Sequence, residues 1–138
     1  SDTWSANPLS SAAVLATLDE FEGGGVLANA RVLSTVLETG LLELKETGLI
    51  THVRGEGTVW GIECSEVGER SPADVAVACV EACYLGNKEG QAIHLLGPLA
   101  GKVLRVSPPL TMCPQEARDY LNVMKAILAD LHVQLTSH

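Results

Sequence analysis

Val103-Leu104-Arg105-Val106-Ser107-Pro108-Pro109-Leu110 reads as a short strand brought to a stop by two prolines. Successive side chains on a strand point to opposite faces, so Leu104 and Val106 are expected on one side and Arg105 on the other. The apolar pair can enter a core. The arginine then stands on the opposite face with a permanent charge and a planar fork of donors, which suits a carboxylate or a phosphate. A solvated strand arginine is the plainer alternative.

Working outward, Ala92 to Leu96 reads as a second short strand, joined to the first by a glycine-rich turn from Gly97 to Gly101, and the two are expected to pair antiparallel. Upstream, Leu49 to Arg54 and Thr58 to Cys64 are β-rich runs linked by Gly55-Glu56-Gly57, a hairpin in which Trp60, Ile62 and Cys64 share one face. Helices separate and flank these strands. Asn7-Pro8 opens a helix to about Glu22 that is apolar nearly all round, so it is expected to be buried on every side and to take part in self-association. A helix from Val26 to Thr47 carries Val26, Ala30, Leu33, Leu37, Leu41 and Leu44 on one stripe. Ser71-Pro72-Ala73-Asp74 has the capping pattern of a third, running to Leu85 with Val75, Ala76, Cys79, Val80 and Cys83 inward. The last runs from Pro114 to about Leu135, with Ala117, Tyr120, Leu121, Met124, Ile127, Leu128 and Leu131 as its buried side. The fold class expected is α+β: a small, mainly antiparallel sheet with helices packed on one face, in one domain spanning residues 1–138.

Composition narrows the function. At 138 residues and 46% hydrophobic content the chain can bury a core of its own. A formal charge of −8 with scattered basic residues argues against nucleic acid as a partner. No apolar run approaches the ~20 residues that span a bilayer, which points to a soluble cytoplasmic protein. Cys64, Cys79, Cys83 and Cys113 lack the paired spacing of a zinc site and the density of a secreted scaffold, and are expected as free buried thiols. His52, His94, His132 and His138 have no mutual spacing of a metal cluster, so no metal is expected. Neither glycine cluster has a phosphate-loop pattern.

Four stretches in order carry a resemblance: Thr3-Trp4-Ser5-Ala6-Asn7-Pro8-Leu9, the Ala-rich helix after it, Val53-Arg54-Gly55-Glu56-Gly57-Thr58-Val59-Trp60-Gly61-Ile62-Glu63, and Leu104-Arg105-Val106-Ser107-Pro108-Pro109-Leu110-Thr111. Together they resemble the C-terminal part of class III aminotransferases of the ornithine, acetylornithine and 4-aminobutyrate type, over nearly the whole chain. The resemblance implies the small C-terminal domain of a fold type I transferase that uses pyridoxal phosphate, works as a homodimer, and moves an amino group between an amino donor and a keto acid. It implies that Arg105 grips the substrate's α-carboxylate and that Thr3 hydrogen-bonds the cofactor phosphate held by the neighbouring subunit. A departure lies beside Thr3, where Ser5-Ala6 stands in place of the family's usual Gly-Gly, and Cys113 stands where a Thr commonly caps the last helix.

In that family the lysine that carries the cofactor lies upstream of the Thr3 position, on the large domain. Lys45, Lys88, Lys102 and Lys125 are expected to face solvent, so no catalytic residue is assigned here. The chain, which opens Ser1-Asp2 without Met, is expected to be a fragment that is inactive alone. A stand-alone ligand-binding or dimerisation module of the same architecture is the alternative, and a racemase or decarboxylase of this fold remains open.

Overall fold

The computed structural model describes residues 25–87, 90–93, 96–99 and 101–137, with backbone only for 96–99. The helix expected from Pro8 to Glu22, and Thr3 before it, lie outside the described residues.

Helix α1 spans Gly25–Glu43 and tightens into a 3-10 turn, Leu44–Thr47. The sequence predicts one helix to Thr47, and the helical run does end there, with its last turn wound tighter. Thr47 turns its hydroxyl back to the Leu44 carbonyl at 2.6 Å, and Gly48 takes the left-handed conformation at φ 84°, where a side chain would be strained. Strand β1, Ile50–Glu56, and strand β2, Val59–Cys64, then form an antiparallel hairpin. Its turn is the pair Gly57-Thr58, with Gly57 at φ 61°, one residue further on than the glycine cluster suggests.

Helix α2, Pro72–Leu85, starts as predicted: the Ser71 hydroxyl accepts from the Asp74 N–H at 3.2 Å, and Pro72 occupies the first turn. Val75, Ala76, Cys79 and Cys83 are buried and Val80 is partly so. Strand β3, Leu96–Leu99, lies further along than the predicted 92–96. The Ile93 N–H is taken by the Cys83 carbonyl at 2.8 Å and Ile93 is buried, so this segment serves as a strap across α2. The strand starts beyond it, and takes up part of the expected 97–101 turn. Pro98 is tolerated there because β3 is an edge strand with one unpaired side. β4, Val103–Val106, pairs antiparallel with both β2 and β3, giving the order β1-β2-β4-β3.

Helix α3, Pro114–Thr136, closes the fold. Ala117, Leu121, Met124, Ile127, Leu128 and Leu131 are buried as expected, whereas Tyr120 is 40% exposed at the margin of the stripe. The three helices meet over one face of the sheet. That face carries Trp60, Ile62, Cys64, Leu104 and Val106, each at most 6% exposed. The fold is α+β, as the alternation of apolar residues predicts. Its core joins leucines of α1 to those of α3 and the inner face of β2 and β4.

Candidate functional site

The face of the sheet away from the helices holds the polar residues. Register places them: Arg54 of β1 pairs with Gly61 of β2, and Gly61 pairs with Arg105 of β4. One step along, His52 pairs with Glu63 and Glu63 with Val103. Leu104 and Val106, on either side of Arg105, are buried, so Arg105 points to the opposite face, as its octapeptide predicts.

Arg105 is half-buried, and its Nε is fully buried without a hydrogen-bond partner among the described residues. A buried donor left unpaired costs about 1–3 kcal/mol. Native structures seldom carry that cost without a use for the group. Beside it Gly61 contributes no side chain, and a Cβ there would come 3.3 Å from Val103 Cγ1. Gly61 thus leaves the position between Arg54 and Arg105 without a side chain.

Glu63 organises the rest of the face. Its carboxylate is 2.8 Å from Arg54 Nη2, 3.4 Å from Lys102 Nζ and 3.7 Å from His52 Nδ1, with the glutamate side chain only 17% exposed. In the sequence Arg54 is part of the hairpin, and Glu63 carries no motif that marks it. The available signal was that Glu63 occupies an outward position of β2 opposite a strand that carries His52 and Arg54.

The other residues of interest fall elsewhere. Lys45 is exposed, Lys125 is engaged by Glu43 and Glu46 at 3.6 and 3.3 Å, and Lys88 lies outside the described residues. His132 packs against Gly48, where a Cβ would meet its Nε2 at 2.8 Å; His94 and His138 lie outside the described residues. Among the described residues no group of histidine, cysteine and acidic side chains could hold a metal ion, and no helix is long and apolar enough to cross a membrane.

All four cysteines are free, and three are buried; Cys113 is exposed, contrary to the expectation of four buried thiols, because it sits at the N-cap of α3 rather than on its packed side. Burial pushes the Cys83 thiol up to about 12. Cys79 is raised first by its hydrogen bond with Cys64 and then by burial, and the same hydrogen bond holds Cys64 below its ordinary value. Thiols so placed behave as small apolar residues.

The sequence model of the family described as Aminotransferase class-III matches residues 1–128. The chain is 32% identical over 131 residues to acetylornithine aminotransferase of Synechocystis sp., an alignment that covers 94% of this chain and 28% of that protein. It is 32% identical over 133 residues to an alanine/serine racemase of Pyrococcus horikoshii, with 93% of this chain and 26% of that protein covered. Among solved structures, N-acetylornithine aminotransferase from Stenotrophomonas maltophilia matches with a TM-score of 0.66 at 25% identity, over 94% of this chain and 33% of that one. The chain belongs to the class III aminotransferase family. It spans less than a third of the length of these relatives.

Proposed function

We propose that this chain is the C-terminal domain of a cytoplasmic, homodimeric class III aminotransferase that uses pyridoxal phosphate, and that Arg105 anchors the α-carboxylate of its amino-acid and keto-acid substrates. The observation that carries the reading is the unpaired, buried Nε of Arg105, on a rigid strand in a chain of this family. Two parallel N–H···O bonds from a guanidinium fix both the position and the plane of a carboxylate. A substrate so held keeps its α-carbon at a constant height above the sheet face, and the same grip serves both half-reactions because each substrate carries the same carboxylate.

The cofactor, when bound, supplies the electron sink that stabilises negative charge at the α-carbon. The described residues fit a role beside that group rather than one of carrying it: Lys102 and Lys125 are held by carboxylates and Lys45 is exposed. The cofactor-bearing lysine belongs to the large domain upstream in this reading, and Thr3 of the neighbouring subunit donates its hydroxyl to the cofactor phosphate. The isolated chain is then inactive. Likeness to the alanine/serine racemase supports a second reading, in which the same carboxylate grip holds one amino acid for inversion. Formation of a keto acid from the donor separates the two.

The test replaces Arg105 with lysine in the full-length protein. The charge survives and the fork is lost, so affinity for the keto acid is expected to fall about tenfold or more, from ~1.5–3 kcal/mol for a charge-assisted hydrogen bond. Cofactor titration is expected to be unchanged. Unaltered keto-acid affinity, or loss of cofactor instead, would overturn the assignment. For the isolated chain, borohydride reduction with pyridoxal phosphate should leave no cofactor fixed at a specific lysine.

A further inference from the structure

The helical layer carries a cleft that has no part in the Arg105 face of the sheet. It lies between the end of α2 and the C-terminal half of α3 and has a volume of about 660 Å³, within the ~300–1,000 Å³ of small-molecule sites. Its floor is apolar: Ala82 of α2 and Ala126, Ile127 and Leu131 of α3. The two alanines are short, so space stays open between the helices. At the lip Leu85 is 80% exposed, which leaves apolar surface in water for a ligand to cover. Beyond it the chain folds back, the Asn87 N–H donating to the Gln91 carbonyl at 2.9 Å and the Ile93 N–H to the Cys83 carbonyl at 2.8 Å.

Charge selects the ligand. Asp130 alone is charged among the described residues that line the cleft; it is exposed and forms no ion pair with a described residue. The last turn of α2 holds no basic side chain, so nothing within it offsets the partial negative charge of that helix end, which borders the cleft at Leu85 and Gly86. We propose that this cleft binds a small organic cation, a short aliphatic body bearing an ammonium group, with the charge at Asp130 and the methylenes over Ile127 and Leu131. Its concave shape suits a small molecule rather than a protein surface, which would bury about 800 Å² on each side. The proposal stands apart from the role of Arg105.

The experiment is calorimetric titration of the full-length enzyme with hexyltrimethylammonium, whose nitrogen has no lone pair and so cannot condense with a bound aldehyde cofactor. Saturable binding is expected, with tetramethylammonium about tenfold weaker or more because it lacks the apolar body. Asp130→Asn should raise Kd about threefold to fivefold, as for an exposed ion pair. Ala126→Phe, at an exposed helix position, fills the cleft and should abolish binding. Asp130→Lys, which leaves the floor intact, should weaken binding more than Asp130→Asn does. Hexanoate, of the same length and opposite charge, should not bind. An absence of binding at millimolar probe overturns the proposal. So does an unchanged Kd in any one of the three variants, or hexanoate binding as tightly as the cation.

Discussion

The Asn29 side-chain amide donates to the Met112 carbonyl at 2.9 Å across 83 residues of sequence, and to the Leu110 carbonyl at 2.8 Å. Both carbonyls lie in the segment that leaves β4 through the proline pair, so α1 pins the exit of the strand that bears Arg105. Asn29→Ala is expected to lower the unfolding free energy by about 1–3 kcal/mol, because the partly buried Met112 carbonyl loses its donor. Asn29→Asp should cost at least as much, since an ionised carboxylate can only accept. Urea denaturation checks both, and a midpoint equal to the parent's in either variant would count against the contact.

Gly40 is buried in α1 against Leu121 of α3, where an added Cβ would lie 2.5 Å from Leu121 Cδ1. Alanine favours a helix over glycine by about 1 kcal/mol. Overpacking here outweighs that gain, so Gly40→Ala should destabilise by about 1–3 kcal/mol. Combining it with Leu121→Ala should cost less than the sum of the two single changes, and a double-mutant cycle in denaturant reads the difference. Strict additivity would mean the two residues do not share this space.

The two helices that begin with proline differ in their caps. Ser71 accepts a hydrogen bond from Asp74, and its replacement by alanine is expected to cost about 1 kcal/mol. Cys113 caps α3 with no side-chain hydrogen bond, so Cys113→Thr should raise stability by about 0.5–1 kcal/mol. Thermal melts of the two variants should therefore shift in opposite directions.

The thiols differ in access and in acidity. Cys113 is exposed while Cys64, Cys79 and Cys83 are buried, so a native Ellman titration should find one fast thiol, with three more after denaturation. Cys83 has a folded value of about 12 against an ordinary 9.0. The unfolded chain therefore gives up this proton first as pH rises, and the stability the buried thiol contributes is whole below pH 9 and is lost as pH climbs towards 12. Unfolding measured between pH 8 and about 10.5 should show stability declining by no more than about 1.4 kcal/mol per pH unit for this group. Cys83→Ala should flatten the decline, and an equal slope in parent and variant would remove Cys83 as its source.

How much of this could be read beforehand divides along a physical line. Properties carried by neighbours in the chain were determined by the sequence alone: the strand alternation that turns Arg105 away from Leu104 and Val106, the shared face of Trp60, Ile62 and Cys64, the Ser71 cap, and the leucine stripe of α1. Each rests on backbone geometry repeating every two or 3.6 residues. Tertiary structure decided what depends on distant partners. β3 moved to Leu96–Leu99 because the Ile93 N–H found the Cys83 carbonyl, and Tyr120 came out at the edge of its stripe because what packs against a helix sets where its buried face ends. Glu63 chose Arg54, Lys102 and His52 over Arg105 through a register spanning three strands. No local pattern could have supplied that choice, since the energy of an ion pair depends on distance in space, and folding brings residues 54, 63 and 105 onto one face of the sheet.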